Sequence, residues 1–205
     1  MKKNRIMGGI RIWLVTILVL GAIASGITLY VKFQKEKLEK LKANITRLKE
    51  EHVPMRFMVE SRGDGYVVAK VKLYDMDGNE IGVAKSTLKG ESLFLDFVTV
   101  PLEKKYLTFP QAIFTDAVPA QNGIALFPLY DRNGFPQVFA AEGINDALKN
   151  DLSTLFSKVK QSGAVDGSFG SAVHDIKEFR AFDVDVVYRV IARLKGGLEI
   201  VEDDQ

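Results

Sequence analysis

The stretch YVVAKVKLYDMDGNEIGVAKSTLKGESLFLDFVTV, residues 66–100, decides the fold class of this chain. Apolar side chains alternate with lysines in its first part, a pattern typical of a half-buried β-strand, and the apolar face comprises Val67, Ala69, Val71 and Leu73. The Asp77-Gly78 pair then predicts a hairpin turn into a second strand. A turn at residues 89–91 and a third strand over residues 92–100 complete a predicted antiparallel meander.

The remainder of this region alternates loops with further periodic segments. Recurring prolines predict a loop-rich middle: Pro101, which ends the third strand, Pro110, Pro119, Pro128 and Pro136. Residues 124–140 predict a second hairpin, whose first arm would be an edge strand or a bulge because it contains Pro128. Apolar spacing over residues 144–159 predicts an amphipathic helix, and two closing strands follow at residues 184–194 and 198–201.

These segments predict a single α+β domain over residues 53–205. We expect it to be mainly antiparallel and sandwich-like, with one amphipathic helix. The meander favours an immunoglobulin-like or related sandwich. A domain of about 150 residues buries roughly 70% of its chain surface on folding, so it does not need a metal for stability.

An uncharged apolar segment precedes the domain. Residues 12–31 read IWLVTILVLGAIASGITLYV, and a helix of this length would span the bilayer core of about 30 Å. Residues 1–11 form a basic tail in front of it. The same features fit a cleavable secretory signal with a site at Ala22-Ile23-Ala24. The apolar residues that continue past this site favour an uncleaved, single-pass transmembrane signal anchor.

The charges that flank the apolar segment favour opposite sides of the membrane for the domain, depending on how they are counted. A literal count finds four Lys/Arg in residues 1–11 and seven in residues 32–52, which would place the domain in the cytoplasm. The tail, however, carries no acid to offset its cations, and long C-terminal domains translocate largely regardless of charge. We therefore expect an extracytoplasmic domain, periplasmic in a bacterial host.

Residues 32–52, KFQKEKLEKLKANITRLKEEH, predict a helical, coiled-coil stalk that Pro54 ends. Apolar residues at spacings of 3, 4 and 3 form a short seam, the candidate partner-binding site: Leu38, Leu41, Ile45 and Leu48. In a parallel homodimer Lys37 would face Lys42, so the seam favours a different helix with acidic flanks. A monomeric spacer and a homo-oligomer are the alternatives.

Composition excludes several kinds of chemistry. The chain has no Cys and two His, which excludes disulfides, thiolate metal sites, cysteine nucleophiles and three-histidine metal sites. Residues 53–205 hold 17 basic and 22 acidic side chains with scattered cations, which argues against nucleic-acid binding. Asp75, Asp77 and Asn79 imitate the start of a calcium loop, but the Gly and Glu that such a loop needs are missing. We expect no catalytic residue, no cofactor and no metal site.

One group of residues, around His174, remains a candidate for a catalytic site. Residues 162–171 form a Gly/Ser-rich loop, and His174-Asp175 follow it. A neighbouring carboxylate raises the basicity of a histidine, and Ser168 or Ser171 would then be the nucleophile. Neighbours in sequence seldom form an oriented triad, so we favour a structural histidine here.

The order of basic tail, single span, stalk and β-rich domain predicts a non-enzymatic, bitopic membrane protein. We expect a scaffold or adaptor in a cell-envelope assembly, with the lipid bilayer and one or more proteins as its partners. A sensory or small-ligand-binding extracytoplasmic domain is the alternative. A hydrolase that uses His174 and Asp175 is a third hypothesis.

Overall fold

The computed structural model describes residues 18–33, 35, 36, 39, 48–102, 105–162, 173, 174 and 182–203. The chain divides into two compact units, Met1–Lys40 and Leu41–Gln205, and each is described by itself. In the first unit, residues 18–33 form helix α1, and every side chain of this range is exposed. Within the described part of the chain, none of the helices combines the length and the apolarity that a membrane crossing requires. Residues 12–17, where the predicted span begins, lie outside the described residues.

The second unit is built mainly from β-strands. Its described strands are β1 (Glu51–Gly63), β2 (Tyr66–Tyr74), β3 (Glu80–Lys89), β4 (Leu93–Leu102), β5 (Lys105–Thr115), β6 (Ile124–Ala125), β7 (Asp131–Arg132), β8 (Phe135–Pro136), β9 (Val173–His174), β10 (Val187–Arg193) and β11 (Leu198–Glu202). Its described α-helices are α2 (Phe127–Tyr130) and α3 (Asp146–Ser162). Short 3-10 turns occupy Ala120–Asn122 and Gln137–Phe139.

The strands form two antiparallel sheets and a small ribbon. Sheet A has the order β11-β10-β1-β2-β3, sheet B has the order β6-β5-β4-β9, and β7 pairs with β8. All strand pairs within the sheets are antiparallel. The α+β class, the β-rich character and the amphipathic helix are therefore confirmed. So is the β2–β3 hairpin, in which the Asp75 carboxylate accepts hydrogen bonds from the backbone N–H groups of Asp77 and Asn79. The predicted three-strand meander is wrong beyond this hairpin, because the turn after β3 leads into sheet B, where β4 pairs with β5 and β9 rather than with β3.

Aromatic side chains fill the core of the second unit. One cluster, with ring centroids 4.8–5.5 Å apart, comprises Phe57, Phe182 and Tyr188. In a second cluster, Phe109 of sheet B lies 5.1 Å from Phe139 and 5.7 Å from Phe156 of α3. Phe139 in turn lies 5.8 Å from His52 of sheet A. A continuous set of rings therefore connects both sheets with α3.

Two long strands lie where the sequence predicted no strand. β1 is the central strand of sheet A, and β5 pairs with the full length of β4. Each contains a proline at a register irregularity: Pro54 lies between the paired residues His52 and Met55, and Pro110 lies where pairing shifts around Asp96. A bulge tolerates a proline because the regular hydrogen bonding between the strands is already interrupted there, so the missing N–H of proline costs no further hydrogen bond. Pro101 also lies within β4 rather than ending it.

The predicted hairpin over residues 124–140 is wrong for most of its length. Its described strands have only two residues each, and residues 127–130 are the helix α2. Pro128 lies in the first turn of α2, where its missing N–H has no intrahelical partner to lose. The turn itself is present, with Asn133 and Gly134 at positive φ.

The predicted helical stalk ends earlier than residue 52. Leu48 lies in a bend, is 6% exposed, and precedes β1, which begins at Glu51. The Nζ of Lys49 donates to the backbone oxygen of Met76 at 2.5 Å and to Oδ1 of Asp77 at 2.9 Å. The backbone N–H of Leu194 donates to the Glu50 oxygen. Residues 48–51 therefore pack against the domain, since they are hydrogen-bonded both to the β2–β3 turn and to Leu194.

Candidate functional site

The outer face of sheet A carries the clearest candidate site in the described residues. In β1, Met55, Phe57 and Val59 are buried, so Arg56 and Met58 project from the opposite face. Pairing across the strands sets their neighbours in two rows. The first row contains Arg189, Arg56, Lys72 and Val83, and the second contains Val187, Met58, Lys70 and Lys85.

These two rows border an open groove of about 480 Å³. Its charged lining consists of three cations and one carboxylate: Arg56, Lys70, Lys72 and Asp203. Tyr74, Met58 and Val187 contribute apolar surface. The groove therefore combines positive charge with apolar contact area.

Asp203 is the charged centre of the groove. Its side chain is 4% exposed, and its Oδ2 accepts a hydrogen bond from Nε of Arg56 at 2.5 Å. Nη1 of Arg189 lies 3.5 Å from the other carboxylate oxygen. The Arg56 guanidinium also lies 4.7 Å from the ring centroid of Tyr74. Burial opposes the charge of Arg56, but the hydrogen bonds and charges of Asp203 and Tyr74 outweigh it and raise the pKa of Arg56.

The two lysines of the groove have weaker partners. Lys72 pairs with Glu80 at 2.6 Å, and both side chains are more than 40% exposed. Lys70 lies 4.0 Å from Glu60, which also pairs with Lys85. Exposed pairs of this kind contribute at most about 1 kcal/mol, because water and salt screen them. The ion pairs at the lysine end of the groove are therefore weaker than those at the Asp203 end.

We expect Asp203→Asn to lower the free energy of unfolding by about 2 kcal/mol, because it leaves two arginines without their charged acceptor. Glu199→Gln is the matched control: Glu199 also pairs with an arginine, Arg193, but both side chains are at least 40% exposed. Its cost should stay below about 0.5 kcal/mol. Urea unfolding followed by circular dichroism measures both. Equal losses for the two variants would contradict the role assigned to Asp203.

His52 is a second unusual group, and it lies inside the domain. It is 7% exposed, and neither ring nitrogen has a hydrogen-bond partner. Burial, together with the nearby charge of Lys49, lowers its pKa from 6.5 to about 4. A neutral, unpaired imidazole in a core is a source of acid sensitivity rather than of catalysis, since no described group orients it.

The other residues singled out from the sequence are only partly described. Leu38, Leu41, Ile45 and Asp175 lie outside the described residues, and so do Ser168 and Ser171. Leu48 is 6% exposed in the bend before β1, so it is not an exposed member of the predicted partner-binding seam. His174 lies in β9 opposite Phe97. The described residues contain no group of three or more His, Asp or Glu that could hold a metal ion.

Sequence reasoning did not find the groove. The alternating cations of β2 were visible, but β1 was not recognised as a strand, so Arg56 had no assigned neighbours. Asp203 is 147 residues from Arg56 along the chain, and no local pattern connects them. The only available signal was the Arg-x-Met-x-Glu alternation in residues 56–60.

Comparison with protein family models, with curated proteins and with solved structures finds no match for this chain.

Proposed function

We propose that this chain is a non-enzymatic, single-pass membrane protein that acts as a scaffold or adaptor in a cell-envelope assembly. The observation that carries the proposal is the uncharged run of residues 12–31. The described part of that run is helical, and its large apolar side chains are exposed by half or more: Leu18, Val19, Leu20, Ile23, Ile27, Leu29, Tyr30 and Val31. In water such surface would be costly, whereas lipid tails cover it readily.

We propose that the anchor remains uncleaved and that the domain is extracytoplasmic. The basic tail of residues 1–11 supports this orientation, because four cations without an acid oppose translocation. The stalk and the domain would then present their partner-binding surfaces on that side of the membrane. We also infer a sandwich-like packing of sheets A and B, which is supported by the ring contacts that run from His52 through Phe139 to Phe109.

A sensory or small-ligand-binding domain is the second candidate function. The open groove of sheet A favours it, because a volume of about 480 Å³ is within the range of ligand sites. The attachment of residues 48–51 to the domain also suits signal relay. Lys49, for example, is hydrogen-bonded to Met76 and Asp77 in the β2–β3 turn.

The anchor predicts a clear result in membrane extraction. The full chain should remain in the membrane pellet after washing at alkaline pH and should enter the supernatant only with detergent, because about twenty apolar residues bind lipid almost irreversibly. The matched variant carries Leu18→Lys and Ile23→Lys, which place two charges in the segment. It should lose membrane retention, since each charge at the centre of a span costs about 3 kcal/mol. Release of the native chain by alkaline washing alone would refute the anchor.

The absence of native Cys allows orientation to be tested directly. A single cysteine at the exposed position Lys149 of α3, introduced as Lys149→Cys, should react with a membrane-impermeant maleimide in intact cells. A cysteine in the tail, Asn4→Cys, should react only after the membrane is opened. The reverse pattern would place the domain in the cytoplasm.

A further inference from the structure

We propose that the groove of sheet A binds an extended acidic segment of a partner protein, with two carboxylates at alternate positions in the order acid-x-acid. The inference rests on the proposed partner-binding function, since it names the chemistry of the partner. Three features of the groove support it: its excess of cations, the spacing of its lysines and its shape.

The pairing of strands brings like charges together on this face of sheet A. Three cross-strand neighbours on this face are cation opposite cation: Arg189 with Arg56, Arg56 with Lys72, and Lys70 with Lys85. Like charges directly opposite each other are destabilising in a sheet. Departures of this kind from stabilising local rules are expected at functional sites. Within the structure, Asp203 relieves the arginine pair, Glu80 pairs with Lys72 at 2.6 Å, and Glu60 is shared by Lys70 and Lys85. The carboxylates at the lysine end are more exposed than Asp203, so their ion pairs are weaker and a ligand carboxylate is most favourable there.

The spacing of the two lysines defines the spacing of the ligand's carboxylates. Lys70 and Lys72 project from one face of β2 and are two residues apart, which places their Cα atoms about 6.8 Å apart. An extended peptide repeats its side chains on one face at the same interval. Two carboxylates separated by one residue therefore match the two lysines, whereas adjacent carboxylates project from opposite faces of the peptide.

The shape of the groove selects a peptide over a membrane surface. The cations are enclosed to different degrees: the side chain of Arg56 is 24% exposed, that of Lys70 is 38% exposed and that of Lys72 is 41% exposed. A narrow chain reaches them, whereas a flat layer of lipid headgroups meets only their outer edges. Met58, Val187 and Tyr74 add apolar contacts for the side chain between the two acids.

The test measures binding of fluorescein-labelled peptides to the purified full chain in neutral detergent by fluorescence anisotropy. Three nine-residue peptides share Gly/Ser flanks and carry Glu-Thr-Glu, the isomer Glu-Glu-Thr, or Gln-Thr-Gln at the centre. We expect the Glu-Thr-Glu peptide to bind about fivefold more tightly than its isomer and more than tenfold more tightly than the neutral peptide. Its affinity should fall as salt rises from about 0.05 to 0.5 M, because the contacts are only partly buried.

The protein variants use matched charge changes. Lys70→Gln with Lys72→Gln should weaken the Glu-Thr-Glu peptide about tenfold. Lys89→Gln with Lys149→Gln removes the same charge from exposed positions outside the groove and should change binding less than twofold. If the first pair of changes prevents folding, the comparison of the two isomeric peptides on the native chain still decides the question.

Three outcomes would overturn the proposal. Equal affinity for the two isomers would show attraction to net charge alone. Equal effects of the two double variants would place the peptide elsewhere on the surface. Displacement of the peptide by phosphatidylglycerol vesicles, but not by phosphatidylcholine vesicles, would assign this face to an anionic membrane. None of these results depends on membrane retention, so failure of this inference and failure of the proposed anchor are distinguishable.

Discussion

Replacement of Phe156 by alanine is expected to lower the free energy of unfolding of the domain by about 3–5 kcal/mol. The Phe156 side chain is fully buried in α3. Its ring stacks on Tyr130 with centroids 5.4 Å apart and on Phe109 at 5.7 Å, and it meets the edge of Phe127 at 5.4 Å. Truncation removes these contacts and leaves a cavity that three rigid rings do not readily fill.

The loss should appear as a fall of about 10 °C or more in the melting temperature, measured by circular dichroism of the β-strand signal. Tyr66→Ala is the matched control, because Tyr66 is an aromatic residue that is 41% exposed. It should cost less than about 1 kcal/mol. If Phe156→Ala and Tyr66→Ala melt alike, the aromatic cluster around α3 is not part of the cooperative core.

Acidification between pH 6.5 and 4 is expected to remove about 3 kcal/mol of stability through His52 alone. The pKa of His52 is about 4 in the folded chain and 6.5 when unfolded, so the unfolded state binds more protons in this interval. Stability from the neutral ring is therefore fully present above pH 6.5 and is lost as pH falls towards 4. Below pH 4 both states are protonated and the contribution stays constant.

His52→Leu should abolish most of this dependence of the free energy of unfolding on pH. It should also keep or increase stability at pH 7, because it removes two buried nitrogens that have no hydrogen-bond partner. His174→Gln, which removes the only other histidine of the sequence, is the control and should retain the slope. Hydrogen-bonded carboxylates act in a different pH interval. The Lys49 ammonium and the backbone N–H of Glu142 donate to Asp77 and lower its pKa below 3.8. The backbone N–H groups of Ser92 and Glu91 donate to Asp116 and lower its pKa in the same way. Chemical unfolding at steps of half a pH unit separates the contribution of His52 from that of the carboxylates. An unchanged slope in His52→Leu would refute the assignment.

The elements predicted correctly are those whose signal is local. The alternation of Val67 to Leu73, the Asp77-Gly78 turn and the apolar stripe of α3 each depend on neighbours within a few residues. Burial then follows without knowledge of the partner, because a face with four apolar side chains must be covered by something. The closing strands β10 and β11 were predicted for the same reason.

The missed elements depend on distant partners. Pro54 and Pro110 are local signals against a strand, yet β1 and β5 form because bulges accommodate both prolines and because the neighbouring strands bury their apolar residues. The two-residue strands and helix α2 within residues 124–140 similarly reflect packing, with Tyr130 hydrogen-bonded to the Pro110 oxygen at 2.8 Å. Tertiary contacts outweigh local propensity in these segments.

The sequence by itself determined that this protein has a β-rich α+β domain, because periodicity and turn residues are properties of short stretches. It also predicted the uncharged segment of residues 12–31 as an anchor, since bilayer thickness sets a simple length rule. Only the tertiary structure decided that Arg56, Lys72 and Asp203 share one groove, and that His52 is buried beside Phe139. The physical reason is that strand pairing and core packing join residues far apart in the chain, and such pairings leave no trace in local spacing.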